Sequence, residues 1–526
     1  MANRCRVITW VATAALCGGL ALSGGDLLAQ RQRPKRDRRT ASAPPGATQV
    51  LGRPTDRSIV LSVMVPTDVE AYVEYGTRPG AYTAKTDVSS AKAGVPLEFS
   101  LDRLEPDTRY YYRVRQRQQG GSRFGEDREC TFQTQRAPGR AFTFALQGDS
   151  HAEREGRMYD PALYQLTLGT VEREQPDFYL TLGDDFSVDP LIARGALTQQ
   201  AVDQLYIDQR QFLGTVGRSA PLFLVNGNHE QASRYLLKGT SDSAPLLSGR
   251  ARVRFFPLPS PSAFYSGDTE QVEGIGVLRD YYAWTWGDAL FVVIDPYWHS
   301  PVQVDAPAGG GGGGKGGNRG AGGGRRGRGQ GGADQQSGET GNGRGRGGTR
   351  DWWGMTIGDS QYQWLKNTLE QSKARYKFVF AHHVMGTGRG GVEVADLYEW
   401  GGHERNGAST FAAHRPGWEL PIHQLMVKHG VTIFFQGHDH LFARQEKDGV
   451  VYQETPNPAD PTYEAFNRDA YRSGDIQPNS GHLRVSVSAD EVRVDYLRSY
   501  LAKDENAERK SGTVAFSYAI KPRPGR

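Results

Sequence analysis

His438 and His440 stand one residue apart, directly after the apolar run Val431-Thr432-Ile433-Phe434-Phe435 and the pair Gln436-Gly437. In extended chain residues i and i+2 point the same way, so both imidazoles can face one small volume beyond a strand end. Four more runs have this form. Gly148-Asp149-Ser150-His151 follows Phe142 to Leu146, and Gly183-Asp184-Asp185 follows Phe178 to Leu182. Gly227-Asn228-His229-Glu230 follows Pro221 to Val225, and His382-His383 follows Phe378 to Ala381. A single Gly-Asp or Gly-Asn turn is ordinary. Five apolar runs, each ended by carboxylate, amide or imidazole, place those groups at the C-terminal ends of strands, where an open α/β sheet forms its crevice. The chemistry they suit is metal ligation, and mixed nitrogen and oxygen donors fit Mn, Fe, Zn or Co.

The elements around these runs alternate. Strand patterns are separated by helical ones at Leu163 to Glu174 and Ala196 to Val216, which is an α/β signature. A further strand reads at Ala289 to Ile294, and an amphipathic helix begins at Gln361. Paired strands fit 482–487 and 492–497. The region 47–136 reads differently, as short alternating strands bounded by turns, which predicts a small β-sandwich with no catalytic cluster. Ala137-Pro138-Gly139-Arg140 separates it from a catalytic domain expected over 140–500, with 501–526 as a C-terminal tail.

The chain has 526 residues, 37% hydrophobic and 23% charged, and a net charge of +4, too small for its length to argue for a polyanionic partner. Arg4 and Arg6, an apolar stretch from Val7 to Ser23, and Ala29 before Gln30 read as a signal peptide over 1–29, so a secreted or periplasmic protein is expected. Residues 30–46 read as a disordered basic and Pro-containing linker. Cys130 is the single cysteine after the leader, so no intramolecular disulfide is expected. Residues 302–350 read as a disordered Gly/Arg-rich insert in a surface loop. It has no interleaved aromatics, so no nucleic-acid partner is expected. No other segment is long and apolar enough to cross a membrane, so no stable membrane anchor is expected either.

Asp149-x-His151, Gly183-Asp184, Gly227-Asn228-His229-Glu230, His382 and Gly437-His438-x-His440, in this order, resemble the calcineurin-like metallophosphoesterase superfamily. Leu104-Glu105-Pro106-Asp107-Thr108-x-Tyr110-x-Tyr112, with Val73-Glu74-Tyr75-Gly76, resembles a fibronectin type III-like module. The pairing narrows the likeness to the purple acid phosphatase-like branch, over roughly Thr48 to Ser499 outside the insert. The resemblance implies a four-layer α/β/β/α metallophosphoesterase sandwich preceded by an all-β fibronectin type III-like sandwich. It implies two divalent or mixed-valence metal ions of Fe, Mn or Zn. Asp149, His151, Asp184 and His440 would hold the first. Asp184 would bridge to the second, completed by Asn228, His382 and His438. His229 would contact phosphate and assist proton transfer to the leaving group.

The reaction implied is hydrolysis of phosphate monoesters by metal-activated hydroxide, with phosphodiesters as the alternative substrates. Asp185 and Glu230 would orient ligands, His383 would support a ligand or contact substrate, and Arg154 or Arg157 would grip phosphate. His403 and His414 are candidates for the pocket mouth. The sequence departs from purple acid phosphatases at Ser187, where that branch carries a tyrosine ligand to ferric iron, and His151 can replace it. A non-catalytic binding protein is the rival of another class, and the full ligand set argues against it.

Overall fold

Strands in this chain are short β-branched and aromatic runs, and the sense in which they pair decides where their ends fall. The computed structural model describes residues 47–304, 351–384 and 389–523. Three of the motif strands, Phe142–Gln147, Tyr179–Thr181 and Leu222–Leu224, lie side by side and parallel. Their six-stranded sheet continues past Phe142–Gln147 through Gly481–Val487, Val492–Arg498 and Val514–Ile520, all antiparallel. The other two motif strands, Tyr376–Phe380 and Ile433–Gln436, belong to a second sheet of eight strands, parallel to each other and flanked by Ala289–Val293 and Val450–Glu454. The five motif strands are therefore divided between two sheets rather than lined up along one open sheet. Gly481–Val487 occupies the free edge of Phe142–Gln147, so the first sheet cannot continue into Tyr376–Phe380, and the five motifs come from two sheets.

Alternation along each strand divides the core. Phe142, Phe144 and Leu146 face the other sheet and join Phe291, Phe378, Phe380 and Phe435 in one buried cluster. Phe144 meets Phe291 edge-on at 5.2 Å and Phe378 at 5.7 Å, so aromatic packing joins the two sheets. On the outer face of the first sheet Ala145, Tyr179 and Leu222 pack with residues of the helices Pro161–Glu174, Gln199–Gly217 and Ala244–Phe255. On the outer face of the second, Val292, Val379 and Phe434 pack with Asp359–Gln371 and Ile422–Lys428. The first of these helices starts where Asp160 accepts the N–H groups of Ala162 and Leu163 ahead of a proline at the first turn.

Residues before the Pro138 turn form small antiparallel sheets around Ile59, Leu61, Val73, Phe99, Tyr112 and Phe132. Arg210, from the helix Gln199–Gly217, ties them to the larger part. Its side chain is fully buried and donates to Thr48 Oγ1 at 2.8 Å, Ser62 O at 2.7 Å and Phe255 O. Burial pushes the guanidinium down to about 9, against the pull of the Glu98 carboxylate.

Two boundaries move. The C-terminal tail expected from residue 501 includes a sheet strand among its described residues, because Val514–Ile520 completes the six-stranded sheet and turns Phe516 and Tyr518 onto its core. The insert begins later than residue 302, since Val302 and Val304 pack into the helix-covered core of the second sheet. The expected signal peptide, the basic linker and the Gly/Arg-rich stretch from 305 to 350 lie outside the described residues. Among the described residues, no helix is long and apolar enough to cross a membrane.

Replacing Arg210 with methionine keeps the apolar volume but leaves three or more acceptors buried without a donor. The expected loss is about 2–4 kcal/mol, read as a lowered calorimetric midpoint, and an unchanged midpoint would remove Arg210 as the tie between the two parts.

Candidate metal centre

The two sheets bring all five motif ends to one place, and the backbone bends sharply to do so. His151, Asp184, His438 and His440 have φ of 52°, 59°, 80° and 53°. Left-handed backbone at non-glycine residues costs about 1–2 kcal/mol each and gathers at functional sites. Two motif glycines permit the approach. A Cβ on Gly227 would lie 2.2 Å from Asp184 Oδ1, and one on Gly437 would lie 2.6 Å from Asp149 Oδ1.

The gathered atoms are lone pairs aimed at common points. His382 Nδ1–H donates to Leu182 O at 2.7 Å, which leaves Nε2 as an acceptor. That Nε2 nevertheless lies 3.0 Å from Asn228 Oδ1, 3.2 Å from His438 Nδ1 and 3.2 Å from Asp184 Oδ2. His151 repeats the pattern. Its Nδ1–H donates to Glu153 Oε1 at 2.8 Å, and its Nε2 is 3.0 Å from His440 Nε2 and 3.7 Å from Asp184 Oδ2. His440 Nε2 lies 3.1 Å from Asp149 Oδ2. Atoms bound at about 2.1 Å to one ion stand roughly 3.0–3.4 Å apart, so this spacing and this donor set fit metal ions. Three groups each have their ligand atoms within 4.8 Å of one another: Asp149, Asp184, His382 and His438; Asp149, His151 and His440; and His151, Asp184 and His229. Asp149 stands in two of them, as Asp184 does, so both carboxylates lie between the imidazole sets.

Charge follows the same arrangement. Burial opposes ionisation of Asp149 and Asp184, yet the imidazole of His382 and its neighbours hold both carboxyls well below the usual range. Burial also works against charge on His151, but Glu153 and Asp149 raise it to about 9. His440 goes the other way, with burial taking it to about 3. A metal cation competes with protons for these same lone pairs.

The surrounding groups are specific. Glu230, buried, accepts the N–H groups of Asp184 at 3.0 Å, Asp185 at 2.8 Å, Phe186 at 3.0 Å and Gly227 at 2.7 Å, clamping two motif loops together. Asp185 turns away from the centre and accepts from Gln147 and Ser150. Burial pushes it up to about 8. His383 Nδ1 meets Tyr297 OH at 2.9 Å, and its ring lies 4.9 Å from that of His438. Arg154 Nη2–H donates to His229 Nε2 at 3.2 Å. Arg157 is exposed, His414 stacks on Trp353 at 4.3 Å, and His403 bonds to Gly401 O at 3.0 Å, so none of these three is seen touching the gathered ligands.

Sequence reasoning missed several groups. Glu153 orients His151, and Asp189 bonds His229 Nδ1 at 2.5 Å. Asp439 lies between two ligand histidines but faces outward, accepting from Tyr471 OH at 2.7 Å, Gly390 N at 2.8 Å and Arg389 at 2.9 Å. Asn479 Nδ2 donates to His440 O at 2.7 Å. A carboxylate two residues after His151, and an Asp-Pro pair soon after the Gly-Asp motif, were the signals for the first two. Asp439, Tyr471 and Asn479 carried none.

No protein-family model and no curated protein matches the sequence. Among solved structures the chain is similar to that of PhoD, with 15% identity over 91% of each chain and a TM-score of 0.59. At this identity the likeness is one of fold, a mixed α/β arrangement rich in sheet. Two others superpose poorly. They are GAP50, described as the anchor in the inner membrane complex of Plasmodium (11% identity, 73% of this chain and 90% of that one, TM-score 0.34), and a putative 5'-nucleotidase from Staphylococcus aureus (15%, 70% and 55%, TM-score 0.33).

Glu153→Gln keeps the bond to His151 but removes the charge behind it. Metal affinity is expected to fall about 10- to 100-fold, measured by competition with a chelator, while Asp184→Asn should lower the metal content of the purified chain outright. Unchanged affinity in both variants would count against a metal centre here.

Proposed function

We propose that this chain is a secreted or periplasmic metal-dependent phosphoesterase that hydrolyses phosphate monoesters at the Asp149–Asp184 centre. We assign it to the calcineurin-like metallophosphoesterases, in the purple acid phosphatase-like branch, with a four-layer α/β/β/α domain behind a fibronectin type III-like module. The supporting observation is the sharing of two buried carboxylates, Asp149 and Asp184, between imidazole sets on either side. A pair of ions about 3.5–4 Å apart needs such shared anions, and when bound it supplies Lewis acidity to phosphoryl oxygens and lowers the pKa of water. Fe, Mn and Zn all suit the donor set.

The chain's own residues do the rest. Glu153 and the Leu182 carbonyl fix the rings of His151 and His382, so that each Nε2 faces inward. Asp189 holds His229 by Nδ1, which points Nε2 toward Asp184 Oδ2 at 3.8 Å. An imidazolium in that place can hand its Nε2 proton to the departing ester oxygen. Ser187 is buried where the branch carries tyrosine, so this reading includes no phenolate ligand, and His151 takes that place.

The test is turnover of an aryl phosphate monoester and the matching diester, with Mn, Zn or Fe supplied in turn and Asp184→Asn as control. Monoester turnover, abolished by chelation and restored by metal, is expected; no turnover of either ester with any metal would sink the proposal. Asp189→Asn should lower kcat about 100-fold on an alkyl phosphate, whose leaving group needs a proton, and much less on a nitrophenyl ester. An equal loss on both would remove His229 from proton transfer.

A further inference from the structure

Arg154 ends the short turn Ala152–Arg154 that follows His151. Three contacts define its guanidinium. Nη2–H donates to His229 Nε2 at 3.2 Å, Nε lies 3.3 Å from Glu153 Oε1, and Nη1 faces Met158 Sδ at 3.7 Å. Two of these are weak partners for an arginine, and the third, the Glu153 carboxylate, is shared with His151 at 2.8 Å. The imidazole nitrogen is neutral when it accepts, and the sulfur is a poor acceptor. The side chain keeps 19% of its surface exposed. Arg389, on the His438 side, differs. Its Nη1 lies 2.9 Å from the buried carboxylate of Asp439 and donates to His438 O at 2.6 Å, so its charge is already answered.

A phosphate oxygen would serve Arg154 better than the imidazole nitrogen or the sulfur, because it pairs the guanidinium fork with a full negative charge. The place is also right. His229 Nε2, which Arg154 caps, is 3.8 Å from Asp184 Oδ2 at the middle of the centre. A monoester dianion has three non-bridging oxygens. If two of them faced the bound metals, the third would need another donor. A diester has only two, and puts an uncharged ester oxygen with its substituent where the third would be.

We propose that Arg154 rests on His229 in the free site, turns to the third oxygen of a bound phosphate monoester, and thereby selects terminal phosphates over internal diesters. The exchange frees His229 Nε2 to face the leaving oxygen. The proposal rests on the phosphoesterase reading above.

The test compares wild type, Arg154→Lys and Arg154→Ala, each with its fold checked by circular dichroism and its metal content measured. The readouts are kcat and KM on an aryl monoester and the matching diester, and the calorimetric Kd of inorganic phosphate. Arg154→Ala should raise KM for the monoester and Kd for phosphate by roughly 10- to 100-fold, with diester kcat/KM changed less than about threefold. Arg154→Lys should recover part of the monoester loss, since lysine supplies the charge without the fork. Equal losses on both esters, or an unchanged phosphate Kd, would overturn the assignment. If wild type turns over neither ester, the phosphoesterase reading fails, and phosphate binding then decides Arg154 alone: a Kd weakened in Arg154→Ala supports it, and an unchanged one rejects it.

Discussion

Two carboxylates, Asp149 and Asp184, sit almost wholly out of water, and the rest of the structure is arranged around keeping them charged there. An isolated buried carboxylate is expensive enough that it ordinarily takes up a proton. Here five imidazoles surround the pair, and His438 N and His229 N donate to carboxylate oxygens of Asp149 and Asp184 at 2.8 Å each. That answers one need and creates another, because the imidazole nitrogens then crowd together with their lone pairs facing inward. A metal cation satisfies both demands, and left-handed backbone at four of the ligands is the conformational cost of assembling them.

Keeping those loops in a strained form falls to groups that never reach the centre. Glu230 accepts four N–H groups from two loops and so fixes the distance between the second and third strand ends. On the opposite side, Asp439, Tyr471 and Glu454 form a second buried acidic network behind the His438 loop. Burial and Asp439 drive the Glu454 carboxyl well above its ordinary value, and the Tyr471 hydroxyl lies between the two acids. Both networks act through position, and a 1 Å slip in either would separate the two imidazole sets.

The two-sheet core is what allows this. A single sheet would spread five strand ends along a line about 4.8 Å apart at each step. Packing a three-strand parallel set against another parallel set through Phe144, Phe291, Phe378 and Phe435 brings the ends over one another instead. The antiparallel strand Gly481–Val487 enforces the split by closing the edge of the first sheet. Val514–Ile520 extends that sheet from a region that read as a tail, since Val514 to Ile520 carries only alternate aromatic residues and lies far from any motif. Thus strand content was legible in the sequence, while sheet membership was not.

The amino-acid sequence by itself determined which residue types end the strands. An apolar run followed by glycine and a carboxylate, amide or imidazole is local information, and so are the helix caps and the α/β alternation. The sequence also determined that Ser187 supplies no phenolate. Only the tertiary structure decided which sheet each strand joins, that Asp149 as well as Asp184 stands between the imidazole sets, and that Glu153 and Asp189 orient His151 and His229. Those facts depend on pairing between residues up to 291 positions apart, as in His440 and Asp149. Such pairing is set by how whole faces pack, and a single run of residues carries no record of it.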